Sequence, residues 1–371
     1  MNMKALSKKY LPIIVLVGTL LLYLIAIYTP KILFFIYPLW IYKIVSQGFS
    51  HLFSLLPFSF AELFVLLHPI IGLYLLGKGL LRKKGARAYW HTMGKQSWKW
   101  ACYILSFFIL TAGINYHRTP LTHYVGLEVT PVQKEELKHL CLYLIDLTNA
   151  AAEHSRRNQE GRFIPNHTFN QYKMLIDDAY DSLSDHYPPY RGRYPSSKPL
   201  LFSYWVSYAH IMGFFFPFTF EVNINKDIPH FMIPAVIAHE QAHVRGLMRE
   251  EEAEFSVYLL ARHTRNEELR YSFYMSTLMR AMSALYRVDA TMYKELTGHF
   301  SDFLTIDLNS YADYWDSFKS PIGSFSQTIN DAYLKVNSQS DGVKSYGRVV
   351  DLLIADYKKN QTINNQNNEN N

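Results

Sequence analysis

The stretch from residue 10 to residue 30 contains no charged side chain, and lysines flank it on both sides. About 20 apolar residues form a helix long enough to cross the hydrocarbon core of a bilayer. Residues 61–81 and 100–117 carry few or no charges and are long enough to do the same. No small-x-small cleavage site follows the first stretch, which favours an uncleaved anchor over a signal peptide. The sequence therefore predicts a membrane domain of three transmembrane helices within residues 1–118.

Basic residues are concentrated in this apolar part of the chain. Residues 1–99 carry twelve of the 37 Lys+Arg and only one of the 31 Asp+Glu. Three lysines lie in residues 1–9, and seven Lys/Arg lie in residues 78–99. Because basic loops stay on the cytoplasmic side of a cell membrane, the domain after the third helix is expected to be extracytoplasmic. Membrane topology thus explains the high pI, and no nucleic-acid partner is predicted.

Residues 119–358 are predicted to form a mainly helical second domain. Apolar residues recur three and four positions apart in segments such as 132–154, as amphipathic helices require. Residues 218–225 alternate in polarity and are the best predicted strand. The uncharged stretch 200–220 is either a cleft segment or a fourth span, and its serines, tyrosines and proline favour the cleft. Residues 359–371 are rich in Asn and are predicted to be a disordered tail.

The motif HExxH occupies residues 239–243 of a predicted helix. His239 and His243 are four residues apart and lie on one helix face, so both imidazoles can reach one metal ion. Glu240 can then accept a proton from the water that the metal activates. The apolar run 233–238 leads into the motif and indicates a buried site rather than a solvated helix. This pattern favours Zn²⁺ as the cofactor.

A hydrolytic zinc site needs a third protein ligand and leaves one position for water. Arg249 stands where the third histidine of the metzincin pattern would lie, so a carboxylate from the next helix is the remaining choice. Residues 250–254 contain four glutamates. Glu252 lies on the predicted apolar face of that helix, whereas Glu251 points with polar residues. Glu252 is therefore the predicted third ligand, with Glu251 and Glu250 left as alternatives.

The chain resembles domain-of-unknown-function family 3810, bacterial membrane proteins regarded as zinc metallopeptidases. The family's Asp-Glu-Ala-Asn-Phe appears here with Glu for Asp at 251 and Glu for Asn at 254, which places its central glutamate at Glu252. The resemblance implies a zincin-like, gluzincin-type fold and a peptide or protein substrate. It covers nearly the whole chain, and its matching pieces are PFTFEVNIN (217–225), AHEQAHVRG (238–246), EEEAEF (250–255), RYSFYMSTL (270–278) and YLKVNSQSDGVKSYGRVVDLLIADY (333–357).

The resemblance also suggests where a substrate would bind. In gluzincin-type peptidases an edge strand beside the zinc helix pairs with an extended substrate through main-chain hydrogen bonds. The strand residues suggested for this role are Phe220, Glu221, Val222 and Asn223; the alternative is a strand that only covers the core. Donors to the transition state are expected among Tyr, His and Arg, and those eligible are Tyr204, Tyr208, His210, Tyr271, Tyr274, Tyr346 and Arg348.

The predicted fold class is mainly α, with N-terminal transmembrane helices followed by a helical, zincin-like α+β domain that has a small sheet with an edge strand. The predicted function is a membrane-anchored zinc metallopeptidase, with Glu240 as the general base and His239, His243 and Glu252 as zinc ligands. Its predicted partners are a peptide or protein substrate and the lipid bilayer. The alternative is a catalytically silent, zinc-stabilised membrane receptor or scaffold, in which a base would have no use. A transporter is disfavoured because the few spans lack paired charges.

Overall fold

The computed structural model describes residues 3–82, 84–337 and 348–369. The described part of the chain is mainly helical, with 73% helix in 16 α-helices and one small three-stranded sheet. This confirms the predicted mainly α class with N-terminal apolar helices and a small sheet.

Three helices are long and apolar enough to cross a membrane; the first two lie at the predicted positions, and the third begins at Ala86 rather than at residue 100. The candidate spans are Tyr10–Tyr28 within α1 (Met3–Tyr28), all of α4 (Phe60–Leu80), and Ala86–His117, which comprises α5 (Ala86–Thr111) and the short 3₁₀ turn after it. Their exposed leucines and isoleucines indicate a surface that faces lipid rather than water.

Two further apolar helices, α2 (Pro30–Ile36) and α3 (Leu39–Ser54), meet at a bend of 56° and could count as a fourth span by length and composition. The pair follows the end of α1, where the ring of Tyr23 contacts that of His117 with centroids 5.2 Å apart. It ends beside the sheet, where the Ser59 hydroxyl donates to the Asn223 side chain (2.6 Å). The C-terminal part of α5 also lies beside the sheet, since the Phe107 ring stacks on Phe218 with centroids 5.9 Å apart, so α2 and α3 begin and end at the same end of the helix bundle.

The relative directions of the three candidate spans follow from the contacts between them. The Thr19 hydroxyl on α1 donates to Ser106 on α5 (3.2 Å), and together with the Tyr23–His117 contact this makes α1 parallel to α5. Helix α4 runs antiparallel to α5, because the Tyr89 hydroxyl near the start of α5 donates to the Leu75 carbonyl near the end of α4 (2.8 Å). The start of α1 and the end of α4 thus lie at one end of the bundle, and the sheet lies at the other.

The described part of the chain after α5, here called the second domain, contains eleven further α-helices, and α10, α11 and α12 lie at its centre. The Asn-rich segment 359–369, expected to be disordered, forms the last part of α16; residues 370 and 371 lie outside the described residues. The helices are α6 (Leu121–Val125), α7 (Lys134–Glu153), α8 (Phe169–His186), α9 (Ser203–Ser207), α10 (Ile233–Val244), α11 (Glu250–His263), α12 (Glu267–Val288), α13 (Ala290–Thr297), α14 (Asp302–Ser317), α15 (Pro321–Val336) and α16 (Val349–Glu369).

The sheet has the order β1-β3-β2, from strands β1 (Ser197–Pro199), β2 (Gly213–Phe216) and β3 (Glu221–Ile224). β3 pairs in parallel with β1 and antiparallel with β2. The predicted strand is therefore present, but its expected position at a sheet edge is wrong, since β3 has a partner on each side. The uncharged stretch 200–220 contains α9 and β2, so it is not a fourth span.

Helix α3 packs against the second domain although it precedes the spans α4 and α5. The buried Tyr42 belongs to the same apolar core as α10, and its hydroxyl donates to the Val244 carbonyl (3.1 Å). The Lys43 ammonium donates to the carbonyls of Pro189 (2.7 Å) and Arg191 (2.6 Å). The core that holds the HExxH helix thus includes residues from the N-terminal third of the chain.

Candidate metal centre

Helix α10 carries the HExxH motif and ends in a tight turn that sends the chain back along it. The Gly246 N–H donates to the His243 carbonyl (2.9 Å) and the Leu247 N–H to the Ala242 carbonyl (3.2 Å), the bond pattern of a Schellman cap. Gly246 has φ of +99°, and a Cβ there would lie 3.1 Å from the Tyr42 ring. Only glycine combines this backbone conformation with the close approach of α3.

The turn brings the start of α11 over the two histidines. Nε2 of His239 lies 3.1 Å from Nε2 of His243 and 3.3 Å from a carboxylate oxygen of Glu250, whose other oxygen is 3.8 Å from His243 Nε2. Ligand atoms around a tetrahedral zinc ion, each at about 2.0–2.1 Å, lie about 3.3 Å from one another. His239, His243 and Glu250 thus form a buried donor set with the spacing that a metal ion requires.

The histidine ring nitrogens not aimed at this cluster have their own neighbours. His243 Nδ1 lies 2.8 Å from the Leu247 carbonyl, which can only accept, so the Nδ1 carries the hydrogen and Nε2 presents its lone pair. His239 Nδ1 lies 3.6 Å from a Glu254 oxygen, and Glu254 pairs with Arg280 on α12 (2.6 Å). At 3.6 Å there is no hydrogen bond, and Glu254 acts on His239 as a nearby negative charge that raises the basicity of the ring.

The carboxylates dominate the electrostatics of the cluster. Burial by itself lowers the pKa of His239, but Glu254, Glu250 and Glu240 outweigh it and raise that pKa to about 9. Burial lowers the pKa of His243. An excess of negative charge around two imidazoles is the arrangement that a divalent cation compensates.

Glu240 lies beside the cluster and faces β2. Burial raises the pKa of its carboxyl to about 7, against the opposing effect of His239, and the Phe215 N–H donates to it. A Cβ at Gly213 would lie 2.7 Å from Val236 and 3.1 Å from the Glu240 side chain, so glycine allows β2 to lie directly on α10. The Glu240 carboxyl therefore lies between β2 and the cluster formed by His239, His243 and Glu250.

Glu252, predicted to be the third ligand, is not in the cluster. Its carboxylate accepts from the Leu121 N–H (2.8 Å) and from the Arg249 guanidinium (2.6 Å) on the opposite side of α11. Arg249 also donates to the Arg118 carbonyl (2.6 Å). The structure assigns Glu252 to fastening the start of α6 against α11 and places Glu250, one of the alternatives, beside the histidines.

The cluster opens into a cleft of about 560 Å³. Edge strand β2 forms one wall and α15 another, while Phe108 of α5 reaches the cleft from the membrane bundle. Among the strands the structure describes, β2 pairs only with β3, so its other edge has no strand partner, although the Phe215 N–H already donates to Glu240. The cleft therefore combines the donor set, Glu240 and a strand edge.

The residues suggested for substrate binding have other surroundings. Phe220 and Val222 are buried in the core. The Glu221 carboxylate accepts from the N–H groups of Phe60 (3.0 Å) and Ala61 (2.8 Å) at the start of α4, and from Lys198 (2.8 Å). With Asn223 bound by Ser59, this strand joins the sheet to a membrane span. The assignment of these four residues to substrate binding is wrong because β3 is the central strand.

Of the expected transition-state donors, His210 lines the cleft. Tyr204 and Tyr208 contact Phe318 outside it, Tyr271 and Tyr274 are buried in α12, and Arg348 pairs with Glu251; Tyr346 lies outside the described residues. Two cleft residues, Arg280 and Tyr333, were not assigned to the site from the sequence. Tyr333 lies within the quoted motif 333–357, but only the position of α15 brings it to the cleft.

The chain was compared with known families, curated proteins and solved structures. The model of the family described as proteins of unknown function, DUF3810, matches residues 37–354. No curated protein and no solved structure matches the chain. The family match begins before α3, the helix whose Tyr42 and Lys43 pack against the second domain. Since the match extends over most of its length, this chain belongs to the DUF3810 family.

Proposed function

We propose that this protein is a membrane-anchored zinc metallopeptidase with a zincin-like second domain. The observation that carries the proposal is the convergence of His239, His243 and Glu250 at one point of a cleft, with Glu240 beside them. Two imidazoles and one carboxylate are the protein ligands of hydrolytic zinc sites that keep a position for water. The nearby base distinguishes the arrangement from a purely structural zinc site, which is closed by four protein ligands.

Zinc and the residues of the chain have different roles in the proposed peptide hydrolysis. Zinc, when bound, supplies Lewis acidity that lowers the pKa of water towards 7 and polarises a carbonyl group. Glu240 accepts the proton of the attacking water and passes it to the departing amine. A nearby divalent cation favours the charged form of a carboxyl, so metal loading turns Glu240 into the anion that a base requires.

The cleft suggests how the scissile peptide is held. An extended peptide adds to the available edge of β2 by main-chain hydrogen bonds, next to Glu240. Arg280 and Tyr333 line the same cleft and are the candidates to donate to the developing oxyanion. Burial raises the pKa of Tyr333, with nearby Glu250 and Glu240 acting in the same direction, so its hydroxyl keeps the proton that it would donate.

We also propose that the second domain is extracytoplasmic. The basic segments 1–9 and 78–99 belong to the end of the bundle that lies away from the sheet. Positively charged segments remain on the cytoplasmic side, which leaves the sheet and the cleft on the outer side.

The test combines metal content with hydrolysis of a fluorescence-quenched random hexapeptide mixture by the purified full chain. We expect wild-type protein to hold one zinc ion and to cleave the mixture. Glu240→Gln should keep the zinc. Its rate of hydrolysis should be about 10²–10⁴-fold lower, because a positioned general base usually contributes a factor of that size. Glu160→Gln is the matched control, since its side chain is 69% exposed and pairs only with the neighbouring Arg162 among the ion pairs described.

Two outcomes would overturn the proposal. Full hydrolysis by Glu240→Gln would remove the base from the mechanism. Zinc bound with no hydrolysis by wild-type protein would favour the silent receptor or scaffold.

A further inference from the structure

Helix α15 has three faces of different character. Gly323 and Leu334 are buried against the protein, and Ser324, Thr328 and Lys335 form an exposed polar face. Between these two faces runs an exposed apolar face, which we define by Ile322, Phe325, Ile329 and Val336; Ile329 also lines the mouth of the cleft. Phe325 is 66% exposed and Val336 is 78% exposed. In a water-soluble domain, the apolar face of an amphipathic helix is packed against the core instead.

Both ends of α15 lie at the outer ends of membrane spans. Near its C-terminus, the Tyr333 ring contacts Phe108 of α5, with centroids 6.2 Å apart. Near its N-terminus, the Ser320 hydroxyl donates to the Tyr208 carbonyl (2.9 Å), just after α9. Segment 201–208 is itself bound to the first turn of α4, because Glu62 accepts from the Leu201 and Phe202 N–H groups (both 2.8 Å). The axis of α15 therefore runs along the level at which the spans leave the bilayer.

A second exposed apolar group lies at the same level. Leu201, Phe202, Tyr204 and Trp205 form it, and Trp205 is 67% exposed. Tryptophan and tyrosine are enriched at the headgroup level of membranes because they have an apolar ring and a polar edge. The surface of the second domain that adjoins the spans is thus apolar over two separate elements.

We propose that the apolar face of α15 and the group around Trp205 lie in the outer leaflet of the bilayer that the spans cross. The occupant of this surface is lipid, since the surface is continuous with α4 and α5. An amphipathic helix of this kind lies in the interface plane with its apolar face among the acyl chains and its polar face in water. Helix α15 is then an in-plane anchor as well as a wall of the cleft.

With α15 in the membrane interface, the cleft that it borders opens close to the bilayer surface. Phe108 of a membrane span lines the cleft, and Phe216, at the end of β2, contacts Phe64 of α4 with centroids 5.6 Å apart. A peptide lying on the β2 edge would therefore extend from Glu240 towards the bilayer surface. The substrate class that follows, resting on the proposed peptidase function, is a peptide segment held at the membrane surface, such as a lipid-attached chain or the end of a membrane protein.

The first experiment locates α15 without using activity. Nitroxide labels are placed at Phe325→Cys, Trp205→Cys and Thr328→Cys in full-length protein reconstituted in phosphatidylethanolamine–phosphatidylglycerol vesicles; the native Cys102 and Cys141 are buried. We expect the first two labels to collide with oxygen, which dissolves in lipid, and to be protected from a water-soluble nickel chelate. The label at position 328, on the polar face of the same helix, should be accessible to the nickel chelate.

The other outcomes reject the proposal. A label at Phe325 that is as accessible to nickel as the label at Thr328 would mean that the face is in water. Protection of Phe325 from both oxygen and nickel would mean that protein, a second copy or another partner, covers it.

The second experiment tests the substrate class. The quenched hexapeptide mixture is offered to the vesicles in free form and N-palmitoylated, which anchors it to the bilayer. We expect kcat/KM to be at least about tenfold higher for the palmitoylated form, the effect of concentrating a peptide at the surface. Phe325→Glu should remove this preference while keeping the rate on the free peptide and the zinc content.

The two proposals fail in different ways. Equal rates on both peptides would refute a membrane-held substrate and leave the peptidase intact. No cleavage of either peptide by zinc-loaded protein would refute the peptidase, while the nitroxide result would still decide where α15 lies.

Discussion

Glu250 and Glu252 lie on one helix and have opposite surroundings. Side chains four residues apart share a face of an α-helix, whereas those two residues apart point about 200° apart. Glu250 and Glu254 therefore both face the histidines of α10, and Glu252 faces Arg249 and the Leu121 N–H. The two roles, metal ligand and structural tie, can be separated by substitution.

We expect Glu250→Gln to weaken zinc binding by more than the roughly 10–100-fold typical of a partner outside the ligand shell, because a neutral amide is a poor zinc ligand. Glu252→Gln should keep its zinc and lower the Tm instead, since it loses a charge-assisted bond to Arg249. Zinc titration and thermal unfolding of both variants in detergent measure the two effects. Zinc lost from a folded Glu252→Gln protein and retained by Glu250→Gln would reverse the assignment.

The raised pKa of His239 gives metal binding a pH dependence. With that pKa at about 9, the metal-free cluster holds a proton at neutral pH, and a ligating imidazole must give it up. Affinity for zinc should therefore rise about tenfold per pH unit between pH 7 and pH 9, level off above pH 9, and fall more steeply below pH 7, where Glu240 must also lose a proton. Calorimetry at pH 7.5 in buffers of different ionisation enthalpy should show release of about one proton per zinc bound. Release of no proton would contradict the protonated cluster.

At the scale of elements, β3 connects the sheet to the membrane bundle. A carboxylate at a helix N-terminus accepts from unpaired N–H groups and complements the helix dipole. Glu221 does this for α4 and also pairs with Lys198, with both side chains buried. The sheet, and with it β2 and the cleft, is thereby fixed relative to the span.

We expect Glu221→Gln to destabilise the folded protein by about 3–5 kcal/mol, the cost of leaving one member of a buried ion pair without its partner. The measurement is thermal unfolding in detergent, with the exposed Glu160→Gln as the control that should change the Tm little. A Tm equal to that of the control would show that Glu221 does not hold the span.

At the scale of the whole molecule, the basic segment that begins α1 and the join between α4 and α5 lie at the end of the helix bundle opposite the cleft. The parallel packing of α1 against α5 gives this arrangement, and α2 and α3 begin and end near the sheet. The side of the membrane on which the cleft lies therefore depends on how many of the candidate spans cross it.

We expect a cysteine at the exposed Ser182 on α8 to react with a membrane-impermeant maleimide on intact cells. A cysteine at the exposed Lys84, between the second and third candidate spans, should react only after permeabilisation. The opposite pattern would invert the topology and place the cleft in the cytoplasm.

The sequence by itself determined the local features. Apolar length predicted the three spans, and a four-residue spacing on one helix placed His239 and His243 on one face with Glu240 beside them. These are short-range properties, since helix geometry repeats every turn whatever surrounds it.

Tertiary structure alone decided the rest. The choice of Glu250 over Glu252 depends on how α11 crosses α10 after the turn at Gly246, and that turn packs against Leu39 and Tyr42 of α3, about 200 residues earlier in the chain. The central position of β3 depends on β1 and β2, strands of three and four residues that are too short to leave a periodic pattern. Partners brought together across long loops are set by packing and long-range hydrogen bonds, and the local spacing of residues does not encode them.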